Sequence, residues 1–216
     1  MATNLETEIK LRVESIPDLL RRLRQIGARD HGRTYEENIL YDTPGGDFRR
    51  RGRLVRLRIE TPKSGRRRAK LTSKAPPMGD RAKRRRGKSA PRHKEKLERE
   101  VEVRDPVRVA CLLGAIGLRP SFRYEKYRTS FRLGDLHLDL DKTPVGTFLE
   151  LEGRPAAIDH AARRLGYSPG DYIRGTYWDL YAGDCRRSGR KPKNMLFSRK
   201  NRANQHSSLD NLCNCS

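Results

Sequence analysis

The chain has 216 residues, 35% of them charged and only 34% hydrophobic, which is enough for one well-buried domain plus some extra polypeptide and too little for two large ones. Its net charge of +22 points to a polyanionic partner, yet Asp80–Lys96 (nine Lys/Arg against Asp80 and Glu95) and Arg186–Ser216 (eight against Asp210) carry +7 each, leaving +8 for the rest. No apolar run is long enough to cross a membrane, and the chain opens on a strand-like segment, so neither a membrane span nor a signal peptide is expected.

The dominant pattern is two-residue alternation. Leu5–Val13 sets Leu5, Ile9, Leu11 and Val13 against Glu6, Glu8, Lys10 and Arg12. Ser15, with Pro17 close behind, opens a helix that buries Leu19, Leu20, Leu23 and Ile26 and stops at Gly27. A weaker strand covers about 33–42, and Val55–Glu60 alternates Val55, Leu57 and Ile59 with Arg56, Arg58 and Glu60. Another weak strand at 67–74 precedes a solvated basic loop at 78–96. Glu98–Arg104 then lines up Glu98, Glu100 and Glu102 opposite Val101 and Val103. Asp105-Pro106 starts a second helix ending near Gly117, and a strand follows at 121–132. His137, Asp139 and Asp141 alternate with Leu136, Leu138 and Leu140, and Glu150 and Glu152 with Leu149 and Leu151. Pro155 opens a third helix to Gly166, and a short fourth falls at Tyr177–Tyr181. Strand-helix-strand units that end in Ile26-Gly-Ala-Arg29 and Ile116-Gly-Leu-Arg119 form a degenerate internal repeat. The expected architecture is α+β: an eight-stranded antiparallel β-barrel with helices packed outside, spanning residues 1–181. A basic tail at 182–216 is expected to be disordered.

A lone amphipathic strand turns its charged face to water. Here nearly every strand repeats the pattern, and acids and bases are sorted by strand. If the helices cover the apolar faces, both charge sets line one lumen. Unpaired buried charges cost several kcal/mol each in lost hydration, so such a lumen suits a ligand that is both anionic and metal-bound. Carboxylates at i, i+2 offer oxygen ligands to a hard divalent cation, and Arg and Lys donate to phosphate.

Several segments, in order, resemble the signatures of the CYTH superfamily of triphosphate tunnel enzymes, which includes class IV adenylyl cyclases and thiamine and inorganic triphosphatases. They are Glu6-Thr-Glu-Ile-Lys10 (E-x-E-x-K), Tyr41-Asp-Thr-Pro44, Leu54-Val-Arg-Leu-Arg58, Leu71-Thr-Ser-Lys74, Arg99-Glu-Val-Glu102, Lys126-Tyr-Arg128 and Leu140-Asp141 through Gly146-Thr-Phe148-Leu-Glu150-Leu-Glu152. The resemblance implies Mg²⁺ or Mn²⁺ held by Glu6, Glu8, Asp141, Glu150 and Glu152, with Glu100 and Glu102 at a second metal or orienting cations. It implies phosphate contacts from Lys10, Arg56, Arg58, Lys74, Lys126 and Arg128. Some thiamine triphosphatases carry two aromatics before Asp-Thr-Pro, the first partnering the motif lysine as a base. Here that position is Leu40, leaving Lys10 and Tyr41 as catalytic candidates and a metal-activated water as the simpler nucleophile.

The expected activity is metal-dependent action on a nucleoside, thiamine or inorganic triphosphate, with hydrolysis favoured over cyclisation of ATP. A rival of another class is a polyphosphate- or nucleic-acid-binding protein without catalysis. The basic loop and tail lack interleaved aromatics and would give only nonspecific, salt-sensitive nucleic-acid contact. The scattered histidines and Cys111, Cys185, Cys213 and Cys215 show no metal spacing. The cysteines are expected as reduced thiols in a cytoplasmic protein, and a homodimer is left open.

Overall fold

The structure is a computed structural model that describes residues 4–63, 65–77 and 92–198. Its strands are β1 (Asn4–Val13), β2 (Arg29–Asp42), β3 (Leu54–Pro62), β4 (Arg68–Ala75), β5 (Lys94–Val103), β6 (Arg119–Leu133), β7 (Leu136–Thr143) and β8 (Gly146–Glu152). They close into an antiparallel barrel in the order β1-β5-β4-β3-β2-β6-β7-β8, with β8 pairing back onto β1. The helices are α1 (Ile16–Gln25), α2 (Asp47–Arg50), α3 (Pro106–Ala115), α4 (Pro155–Arg164) and α5 (Tyr177–Arg187). The short α2 follows the Asp42-Thr-Pro44 turn, where Asp42 accepts hydrogen bonds from the Phe48 and Arg49 amides.

The expected inside-out arrangement holds. Ile9, Leu11, Leu138, Leu140, Leu149 and Leu151 turn outward and form one core with Leu19 and Leu23 of α1 and Ile158 and Ala162 of α4. Ile39, Leu57 and Ala69 form a second with Ala110 and Leu113 of α3. The apolar strand faces are thus buried under helices, which leaves the charged faces only the lumen. The repeat is real at the level of capping: Ser15 and Asp105 accept hydrogen bonds from the amides of Asp18 and Arg108 at the starts of α1 and α3. Beyond the helix ends, Gly27 and Gly117 adopt φ of +84° and +85°. Open space surrounds both glycines, so a larger residue there would meet only backbone strain.

Three expectations change. The run at 92–96 is not all loop, because β5 begins at Lys94 and pairs Lys94 with Glu8 across the sheet. Lys-rich sequence hid the strand, since both faces there are polar. The stretch after Gly183 is ordered as far as it is described. Helix α5 runs to Arg187, and Met195, 1% exposed, bonds through its backbone to Arg123 and Glu125 of β6. Strand β7 pairs with β6 only from Tyr127 onward, so the 123–125 edge of β6 is open and this segment fills it. Cys111 is disulfide-bonded and only Cys185 is a free thiol among the described residues, against the expectation of four reduced thiols. The rest of the basic loop (78–91) and the distal tail (199–216), on which the nucleic-acid expectation rested, lie outside the described residues.

Candidate active site

Alternate residues of all eight strands converge on a lumen of about 1100 Å³. Its mouth is ringed by the β2–β3 connection (Asp42 to Arg53), by Pro77 and His93 from the described ends of the β4–β5 connection, and by Arg174, Thr176 and Trp178. Acids and bases of the wall are paired across strands. Glu6 accepts from Lys74 Nζ at 2.5 and 2.6 Å, Glu8 from Lys94 Nζ at 2.6 Å, and Glu150 pairs with Lys10 at 2.9 Å. Lys74 also reaches Glu98 at 3.2 Å. Opposite, Arg56 donates to Thr72 at 3.2 Å, Thr72 to Glu100 at 2.8 Å, and Lys70 meets Glu100 at 3.1 Å. Arg58 donates to Asn38 at 3.0 Å and to Glu36 at 3.2 Å. Arg128 is the hub, contacting Asp139 and Asp141 at 2.7 Å and Glu150 at 2.5 Å.

These partners set the ionisation of the acids. Burial, reinforced by the neighbouring Glu6, Glu98 and Glu8 charges, pushes Glu152 up to about 7. Burial also raises Glu6 against the pull of Lys74. At Glu150 burial is outweighed by Lys10, Lys126 and Arg128, which hold the carboxyl well below its usual range. Tyr124 shows the same contest: burial opposes ionisation, but Arg56, Lys126 and Arg58 bring its phenol below the usual value. The cavity lining holds twelve Lys/Arg, including Arg49, Arg53, Lys96 and Arg174 near the mouth, against ten Asp/Glu, so its charge is nearly balanced. Most of the chain's +22 therefore lies elsewhere.

All six expected phosphate-binding cations, Lys10, Arg56, Arg58, Lys74, Lys126 and Arg128, line the cavity, as do Glu6, Glu8, Glu100, Glu150 and Glu152. Three expected residues fall outside that constellation. Tyr41 reaches only the rim and packs its ring with Ile39 and Leu57 beneath α3, because odd positions of β2 face outward. Glu102 sits in a shallow depression at the far end with Arg66, Arg67 and Arg68. Asp141 is fully buried behind the wall rather than on it. Among the described residues no three His, Cys, Asp or Glu side chains converge to hold a metal ion. Lys74 and Lys94 stand among the acids instead. The donor set still fits a hard divalent cation: it is all carboxylate oxygen, and the elevated Glu152 reports crowded like charge that a cation would relieve.

Sequence reasoning missed Glu36, Asn38, Thr72, Lys94, Tyr124 and Tyr177. Glu36 and Glu37 are adjacent acids on β2, one facing in and one out, so the period was invisible there. Tyr177 enters from α5, where its hydroxyl donates to Asp141 at 2.7 Å and its ring lies 4.4 Å from Lys10 Nζ. Only the tertiary fold brings it there.

A closed β-barrel with a charged lumen and an outer helical layer defines an α+β tunnel protein. Residues 4–177 match the CYTH domain family, and the chain belongs to it. Among solved structures, a candidate adenylate cyclase from Vibrio parahaemolyticus is similar at TM-score 0.65 and 19% identity, covering 83% of this chain and 98% of that one. PH1012 from Pyrococcus horikoshii is similar at TM-score 0.62 and 25% identity, covering 81% and 98%. A candidate adenylyl cyclase from Hippeastrum, described with a dominant triphosphatase activity, is similar at TM-score 0.56 and 18% identity, covering 87% and 97%. No curated protein sequence matches the chain.

Proposed function

We propose that this chain is a divalent-metal-dependent triphosphatase. The observation that supports this reading is one cavity lined both by carboxylates on the neighbouring strands β1 and β8 (Glu6, Glu8, Glu150, Glu152) and by cations on β3 and β6 (Arg56, Arg58, Lys126, Arg128). Glu6, Glu8 and Glu152, with Glu150, would hold Mg²⁺ or Mn²⁺, which when bound supplies Lewis-acid polarisation of the phosphoryl oxygens. Lys74 and Lys94, which neutralise Glu6 and Glu8, would be available to phosphate oxygens where a cation takes over those carboxylates. Arg56, Arg58, Lys126 and Arg128 fix the phosphate chain and neutralise the charge that grows on the leaving diphosphate. Water attacks the terminal phosphorus as the bridging P–O bond breaks, and the proton passes to the phosphate formed and then to solvent. Tyr41 has no place in this scheme, since its ring is outside the lumen.

The cyclase reading keeps one supporting feature. Trp178 and Phe122 form an aromatic corner at the mouth, with Arg49 5.4 Å from the Trp178 ring, where an adenine could stack. Incubating the protein with Mn²⁺ and ATP, tripolyphosphate or thiamine triphosphate separates the two. Orthophosphate is the expected product, whereas cyclic AMP with pyrophosphate would transfer the assignment to cyclisation.

A pH dependence follows from Glu152. Its folded pKa is raised to about 7 from 4.5, so the apo fold binds an extra proton and loses that stability as pH climbs from 4.5 to 7. A cation must displace the proton, so Mn²⁺ affinity should rise by about one decade per pH unit below 7 and level off above it. Titrating Mn²⁺ between pH 5.5 and 8.5 checks this, and a flat profile would contradict it.

A further inference from the structure

Behind the cavity wall lies a buried layer that the metal and phosphate assignments leave unexplained. Lys126 and Arg128 are two residues apart on β6 and so share its lumen face. The strands on either side each place one carboxylate against them: Glu36 of β2 is paired with Lys126, and Asp141 of β7 with Arg128. Asp141 Oδ1 accepts from Arg128 Nε at 2.8 Å, while Oδ2 accepts from Lys126 Nζ, Arg128 Nη2 and the Tyr177 hydroxyl, each at 2.7 Å. Glu36 lies 3.5 Å from Lys126 and 3.6 Å from Arg128 and also holds Arg58 at 3.2 Å. Glu36 and Asp141 are 1% and 0% exposed, and neither forms part of the cavity wall that the cations line.

We infer that Glu36 and Asp141 are a carboxylate clamp that positions Lys126 and Arg128 for phosphate, and that Asp141 is not a metal ligand. This rests on the triphosphate reading of the lumen. A ligating carboxylate needs an accessible lone pair, as Glu8 has on the wall, where among the described residues Lys94 is its one side-chain hydrogen-bond partner. Asp141 offers none: three donors fill Oδ2, and Oδ1, which accepts from Arg128 Nε, is buried away from the cavity on a side chain that is 0% exposed. What it does have is geometry suited to aiming. An Arg and a Lys held from both sides are desolvated and oriented before the anion arrives, so binding orders less. The clamp is neutral overall, two cations against two anions, which lets it stay buried without a ligand.

The test measures metal and anion separately. Mn²⁺ binding without substrate, and inorganic tripolyphosphate binding without metal, are titrated for wild type, Asp141→Asn, Glu36→Gln and Glu8→Gln. Asp141→Asn should keep Mn²⁺ affinity within about twofold while tripolyphosphate binds about tenfold more weakly or worse. Glu36→Gln should follow in the same direction by about threefold, because its contacts are longer. Glu8→Gln should show the reverse, losing Mn²⁺ affinity. If Asp141→Asn does not fold, Glu36→Gln carries the anion test alone. A tenfold loss of Mn²⁺ affinity in Asp141→Asn, or unchanged tripolyphosphate binding in the folded variants, overturns the clamp while leaving the triphosphate reading intact. A wild-type protein that binds no tripolyphosphate removes both.

Discussion

Converting Glu6 and Glu8 together to Gln is expected to reduce divalent-dependent triphosphate turnover on the order of 10³-fold while leaving a folded barrel. The two side chains sit side by side on the lumen face of β1, and each is held by a lysine from another strand. Amides keep their shape and can still accept a hydrogen bond from Lys74 and Lys94, so packing is preserved. The negative charge that would compete for a cation is gone. Lys74 keeps Glu98 at 3.2 Å as a second partner, which limits the destabilisation. Glu152 should respond as well, since Glu6 and Glu8 are among the charges that raise it. In the double variant its pKa should fall, and the apo protein should lose less stability between pH 4.5 and 7. Turnover assays across Mn²⁺ concentration, with thermal melting alongside, check both halves. Undiminished turnover in a folded double variant would sink the metal assignment.

The barrel was legible because strand alternation and helix capping are local properties. Residues such as Leu149/Glu150/Leu151/Glu152 declare two faces within four positions, and Ser15 and Asp105 announce helices within one turn. The direction of the charged faces needed a second step, the sorting of acids from bases, which makes sense only if the faces meet. What could not be read depends on register or on partners distant in sequence. Glu36 is distinguishable from Glu37 only through its pairing with Lys126 and Glu60. Lys94 looked like the end of a basic run until its pairing with Glu8 placed it in the lumen. Met195 completes an edge of β6 that β7 leaves open, and nothing about Asn194-Met-Leu-Phe197 records that vacancy. The family resemblance, and not the alternation that Asp141 shares with Asp139, makes Asp141 a candidate ligand. The two differ in what stands behind them, Tyr177 from α5 being the donor that helps saturate Asp141.

Arg128→Met should be the most destabilising single change in the lumen. Methionine matches much of the stem but removes the fork that meets Asp139, Asp141 and Glu150, with Glu36 3.6 Å away. Deleting the shared cation leaves Asp139 with the Ser130 hydroxyl and takes one of the cations from Asp141, Glu150 and Glu36, at a cost of about 3 kcal/mol. In a domain of this size that corresponds to a Tm lower by about 10 °C. The sign of its pH dependence is fixed by the same acids. Burial raises Glu36 and Glu150, but cations including Arg128 overcome it and hold both below 4.5. Acids depressed in this way stabilise the fold above their unfolded pKa, and that contribution fades as pH falls below 4.5 toward their folded values. The gap between wild type and Arg128→Met should therefore be full at pH 7.5 and shrink at pH 4, where the stranded carboxylates can protonate. Urea unfolding at the two pH values measures it. An equal gap at both would mean that lost packing, and not stranded charge, accounts for the change, and Arg128 would then be a filler of the lumen and not its electrostatic centre.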